Sequence, residues 1–257
     1  MKKILISSLV ALGLSLFANA DEKIIIGATS VPHAEILEAV KPVLKKSGYD
    51  LEIKEFFDYS LPNLALEDED LDANYFQHIP YLTEFNKNKG THLVTTVAVH
   101  IEPLGIYSKK VKSFDELKDG DSVAIPNDPT NEDRALNILA KAGLIKLNDE
   151  PLKTLIDITE NPKNLNFVEI EAAQIPRSLD DITLAAINTN YALSANLNPL
   201  KDSILLEDKD SPYVNYIVVK EGHENDKKIK ALNDAVTSED VKKFIIEKYQ
   251  GAVLPVF

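Results

Sequence analysis

The feature that most constrains this chain is a regular alternation of short apolar runs with segments of helical periodicity. "KIIIGATS" is a buried-type strand, and the segment after it carries Ile36, Leu37, Val40, Val43 and Leu44 at helical spacing before Gly48. Pro42 inside that helix predicts a kink or a break. "LEIKEFF" (51–57) is the next strand, so the chain opens strand–helix–strand, the unit of a parallel sheet with covered faces. Helical patterns at 61–68 and 79–90 precede a strand at 92–101, and "EPLGIYS" (102–108) reads as a crossing into a second unit. The alternation restarts there, "YVNYIVVK" (213–220) reads as a return, and helices at 226–234 and 238–248 close the chain.

Alternation of this kind predicts an α/β fold with largely parallel sheets. Two lobes with two crossovers suit the length better than one ten-stranded sheet. The expected division is 21–103 with 219–257 in one lobe and 104–218 in the other. Ligands in such folds sit at the carboxyl ends of strands, so the expected site is a cleft between lobes that closes by hinge motion.

Residues 1–20 have the form of an export signal: Lys2-Lys3, the apolar run "ILISSLVALGLSLF", then "ANA" before Asp21. With no cysteine in the 257 residues, disulfides, thiol catalysis and zinc–thiolate sites are excluded. The sequence reading therefore expects a free periplasmic protein without a lipid anchor. The net charge of −13 is a poor surface for nucleic acid or anionic lipid. Five histidines at no metal-ligand spacing and nine glycines without a phosphate-cradling loop predict no metal, cofactor or nucleotide site. Nothing compels an enzyme.

Amides and aromatics concentrate where strands end and helices begin. Tyr59 follows a strand, Phe76 and His78 precede a helix, His100 ends a strand, Asn188 ends another, and Asn215 lies beside the second crossing. Each has a plain structural use in a core, cap or turn. Their shared placement at strand ends points to the cleft. Thr130-x-x-Asp133 has the spacing of a capping box, with Thr130 or Asn131 as the cap and Arg134 in the first turn. A guanidinium there, beside free backbone N–H groups, makes a carboxylate receptor, against the alternative of a surface ion pair.

"FFDYSLPNLAL", "LDANYFQHIPYL", "VAIPNDPTNEDRAL", "EAAQIPRSLDD", "AAINTNYAL" and "DSPYVNYIVV" together resemble the methionine-binding proteins of bacterial ABC importers, the MetQ/NlpA family. The resemblance implies the two-lobed periplasmic-binding-protein fold and no catalysis. It implies a thioether wall of Tyr59, Phe76, His78 and His100, a carboxylate contact at Arg134, and head-group amides at Asn188 and Asn215. It further implies L-methionine or a related amino acid as ligand, a permease and its ATPase as partners, and a monomer. An adhesin-like interaction protein and a hydrolase with a fold-assembled His–carboxylate pair are the alternatives. Asn131 and Tyr191 stay open between ligand contact and support.

Overall fold

The computed structural model describes residues 22–208 and 211–257; the leader reading lies outside them. The chain runs β1 (Glu22–Thr29), α1 (Glu35–Lys46), β2 (Tyr49–Phe56), α2 (Leu61–Glu67), β3 (Ala73–His78), α3 (Ile79–Lys89) and β4 (Leu93–Ile101). It then crosses to β5 (Gly105–Tyr107), β6 (Ser122–Pro126), α4 (Pro129–Lys141), β7 (Lys146–Leu147), β8 (Ile158–Glu160) and β9 (Asn166–Ile170). β10 (Leu184–Ile187), α5 (Thr189–Ser194), α6 (Pro199–Asp202) and β11 (Ser203–Leu206) follow. β12 (Val214–Lys220), α7 (Lys227–Val236), α8 (Glu239–Tyr249) and β13 (Leu254–Pro255) complete it.

Two principal sheets carry the two lobes, in the orders β13-β4-β12-β3-β1-β2 and β11-β5-β10-β6-β9. β1 pairs parallel with β2 and β3, as strand–helix–strand units require. The sheets are more mixed than the alternation predicts, since β12 runs antiparallel between β3 and β4, and β5 antiparallel to β10 and β11. β12 pairs in the first sheet from Val214 onward, so the return crossing precedes it instead of falling at 218. β5 occupies what reads as plain crossover, because its apolar run is too short to show a period.

The apolar stripe of α1 packs against α7 and α8 over the first sheet, with Ile36, Leu37, Val40 and Leu44 buried. The helix continues through Pro42, which lacks the N–H that would bond the carbonyl four residues back, so the expected break does not occur. The second core gathers Leu136 and Leu139 of α4 with Val123 and Ile125 of β6. Gly27 in β1 has a steric role: a Cβ there would lie 2.6 Å from Leu71 Cδ1 and 2.9 Å from Phe56 Cε2. Gly90 ends α3 at φ +70°, the left-handed turn that glycine adopts without strain.

Candidate functional site

A cavity between the lobes is lined by residues from the ends of β3, β10 and β12 and the starts of α4 and α5. Its free volume is about 20 Å³, on the order of one water. A larger occupant therefore enters only as the lobes part. Tyr59, Phe76, His78, Arg134, Asn188 and Asn215, all named from the sequence, line it. His100 does not: it is fully buried behind the wall, bonded to the Tyr75 hydroxyl and to Glu102. The strand-end pattern located it near the cleft, but the alternation of side chains along β4 turns it away from the cavity.

The aromatic end is built on Tyr59. Its ring stacks on Phe76 with centroids 5.9 Å apart and meets Tyr81 at 5.8 Å and Tyr191 at 5.0 Å. Its hydroxyl donates across the lobes to Asn190 Oδ1 at 2.7 Å. Tyr191 supports this wall, donating to the Phe57 carbonyl at 3.0 Å, while Asn131 lines the cavity itself. His78 closes β3 and caps α3, its Nδ1 accepting from Tyr81 N–H at 3.2 Å. A lone pair at Nδ1 places the proton on Nε2, which faces Asn131 Oδ1 at 3.4 Å.

Burial pushes His78 down to about 3, reinforced by the Arg134 charge. Above its unfolded pKa near 6.5 the imidazole is neutral in both states. Below that value the unfolded chain takes a proton that the folded one refuses, so stability is lost as pH falls. By pH 5 this share amounts to about 2 kcal/mol. Glu132, pushed up to about 7 chiefly by burial, works in the opposite sense, so wild type alone would mix the two. Urea unfolding of His78→Gln at pH 7 and pH 5 isolates the histidine share: the variant should lose about 2 kcal/mol less than wild type. Equal losses would mean that His78 does not stay neutral in the folded protein.

The polar end begins with α4. Asp128 caps this helix, accepting from Asn131 N–H at 3.0 Å, and Pro129 is its first residue. This replaces the expected Thr130 or Asn131 cap, because Asp128 stands one residue before a proline suited to the first helical position. Arg134 is therefore in the second turn and reaches the cleft from the side. Its Nε donates to Glu207 Oε1 and Oε2 at 3.1 Å each, and Nη2 donates to the Glu102 carbonyl at 2.8 Å and to Glu207 Oε2. The Tyr213 ring lies 4.1 Å from Cζ. Arg134 is thus held by a carboxylate that follows β11, a partner no local sequence pattern announces. Among the described residues its bonds leave Nη1 as the end of the fork without one.

Asn188 donates from Nδ2 to Asn131 Oδ1 at 2.8 Å, while its own Oδ1 is buried without a partner among the described residues. Asn215 stands opposite His78 on one side and His100 on the other in the β12 register. Its Oδ1 meets His33 Nε2 at 3.1 Å. His33, Gln77, Tyr81, Glu102, Thr189 and Asn190 also line the cavity. His33 in "VPHAE" and Glu102 in "HIEP" carry the same signal as His100 and Asn188, a polar side chain just past an apolar strand.

His33, His100 and Glu102 place three potential metal-ligand atoms within 4.8 Å of one another. Both imidazole Nε2 atoms already approach Glu102 Oε1, at 3.1 and 2.7 Å. A metal would require both rings to give up those contacts and donate from Nδ1 instead.

Comparison with known proteins agrees with this architecture. Residues 24–257 match the family model described as NlpA lipoprotein. The D-methionine-binding lipoprotein MetQ of Salmonella typhi is 46% identical over 255 residues, covering 97% of this chain and 94% of that protein. A solved nutrient-binding protein from Burkholderia cenocepacia bound to methionine superposes with a TM-score of 0.89 at 44% identity, over 91% of this chain and all of that one. An ABC-transporter periplasmic substrate-binding protein from Coxiella burnetii gives 0.88 at 41%, with coverage of 91% and 100%. These descriptions correct one expectation. The family and the Salmonella relative are lipoproteins, so the reading of a free, unlipidated periplasmic protein does not stand. It rested on the residue type at one processing site, against a likeness that spans the chain.

Proposed function

We propose that this chain, which belongs to the NlpA lipoprotein family, captures free methionine and delivers it to the permease and ATPase of an ABC importer. The family is one of substrate-binding proteins and not of enzymes. The observation that carries the reading is the division of one buried cavity into an aromatic end and a polar end. Tyr59, Phe76 and His78 suit the thioether, because polarizable sulfur gains from ring contact. Arg134 suits the carboxylate, and Asn188 and Asn215 the remaining head-group atoms.

The energies are consistent with several modest contacts acting together. A charge-assisted hydrogen bond is worth about 1.5–3 kcal/mol and a buried aliphatic side chain about the same. Micromolar to nanomolar affinity takes about 8–12 kcal/mol, so neither end suffices alone. Delivery to a permease is supported by the Coxiella relative's description as part of an ABC transporter. Lobe closure would present a distinct shape to that partner.

The test is calorimetry on protein unfolded, stripped of small molecules and refolded. L-methionine, the proposed ligand, should bind in the micromolar range or tighter, with D-methionine titrated beside it because the Salmonella relative is described as binding that isomer. Norleucine, which replaces sulfur by a methylene, should bind more weakly than methionine. No heat and no thermal stabilisation with either isomer would end this reading.

A further inference from the structure

Two consecutive residues of α5, on the second lobe, clasp one short segment of the first. The Tyr59 hydroxyl donates to Asn190 Oδ1 at 2.7 Å, and the Tyr191 hydroxyl donates to the Phe57 carbonyl at 3.0 Å. Each side of the clasp is fixed within its own lobe. On the first lobe, residues 57–59 leave the end of β2 in a turn held by Asp58. Its Oδ1 accepts from the N–H groups of Ser60 at 2.7 Å and Leu61 at 2.8 Å. The Tyr59 carbonyl accepts from the Tyr81 hydroxyl at 2.9 Å, and the Tyr59 ring stacks on Phe76. On the second lobe, the Tyr191 ring packs in a core with Tyr107, Ile175 and Ile187. The Thr189 hydroxyl donates to the Pro103 carbonyl between β4 and β5, which fixes the start of α5. The Phe57 side chain is exposed, so the clasp grips its backbone alone.

The clasp lies where the lobes must part. Tyr59 and Asn190 line the cavity from opposite lobes, and its free volume of about 20 Å³ admits no amino acid until those walls separate. Their bond therefore breaks when the cavity opens and re-forms when it closes. Neither bond needs a ligand atom, since both hydroxyls find their acceptors in the protein and Tyr191 stands behind the wall. An interaction made only in the closed form shifts the open–closed equilibrium by a fixed factor. It then multiplies the affinity for every ligand that the closed form holds.

Resting on the reading of the cavity as a methionine site, we infer that the Tyr59 hydroxyl and Tyr191 form a closure latch. They are positioning residues that set how tightly and how long a ligand is held, without choosing which ligand. Choice is left to the ring faces and polar groups that touch the occupant. The two tasks divide within Tyr59, whose ring is wall and whose hydroxyl is latch.

The experiment titrates L-methionine and norleucine into stripped wild type, Tyr59→Phe and Tyr191→Phe. It also measures how fast radiolabelled methionine is chased off each protein. Both variants keep the ring and lose one bond between the lobes. Each should bind both ligands about three- to tenfold more weakly. The ratio between the two ligands should stay within about twofold of the wild-type ratio. The loss should appear as faster dissociation, because the open form binds without the latch and only the closed form is held by it. Wild-type affinity in either variant overturns the assignment, since the bonds would then stay made as the lobes part. A loss confined to one ligand overturns it as well, since the hydroxyl would then be shaping the pocket. Should one variant fail to fold in a thermal scan, the other decides. Wild type binding neither ligand removes the parent reading, an outcome distinct from any difference between wild type and variants.

Discussion

Arg134→Leu should weaken methionine binding by two decades or more and destabilise the ligand-free protein as well. The affinity estimate comes from losing about two charge-assisted hydrogen bonds, together about 3–6 kcal/mol. The stability loss comes from Glu207, whose side chain is only 12% exposed and pairs with an arginine side chain 4% exposed. Breaking such a pair from one side costs about 3–5 kcal/mol, because a carboxylate is left without its counter-charge. The sequence alone suggests a stability-neutral substitution, since it shows no buried partner. A second change separates the two effects: Arg134→Leu with Glu207→Gln should recover most of the stability and none of the affinity. Calorimetry and urea unfolding on the three proteins give the answer. Unchanged affinity in Arg134→Leu would remove Arg134 from the proposed site, and equal stability of the single and double variants would deny the ion pair its weight.

Two residues further along the same helix, the expected result reverses. Leu136 is fully buried among the side chains of α4 and β6 in the second core. Leu136→Ala removes buried methyl groups and leaves a cavity, at a cost of about 2–5 kcal/mol. Because it does not line the cleft, methionine affinity should stay within about twofold under conditions where the protein is folded. A large affinity loss without destabilisation would mean that α4 moves when its core contact is thinned, and that Arg134 moves with it. One helix thus presents two separable faces, one that holds the lobe together and one that faces the cleft.

Much of the architecture was legible as local pattern. Strand and helix periods located most elements within a few residues; the strand-end rule selected five side chains that line one cavity, and the helix-start argument added Arg134. The failures have local causes too. β5 and β11 were too short to show a period, and Asp128 outcompeted Thr130 as a cap because a proline suited to the first turn follows it. The mixed sheet direction was not legible, since antiparallel β12 reads residue by residue like any buried strand.

The site depends on that insertion. Placing β12 between β3 and β4 sets Asn215 opposite His78 and His100, residues more than a hundred positions earlier. The same folding brings Glu207 to Arg134 and two imidazoles to Glu102. Periodicity, charge and the absence of cysteine were sufficient for the class of fold and for the chemical types at strand ends, because backbone period and burial act over a few neighbouring residues. Which of those groups pair, which face the cavity, and which acceptor is left for a ligand were decided by the tertiary structure alone. Hydrogen bonds and ion pairs are short-ranged in space, and only strand order and register decide which distant residues come within that range.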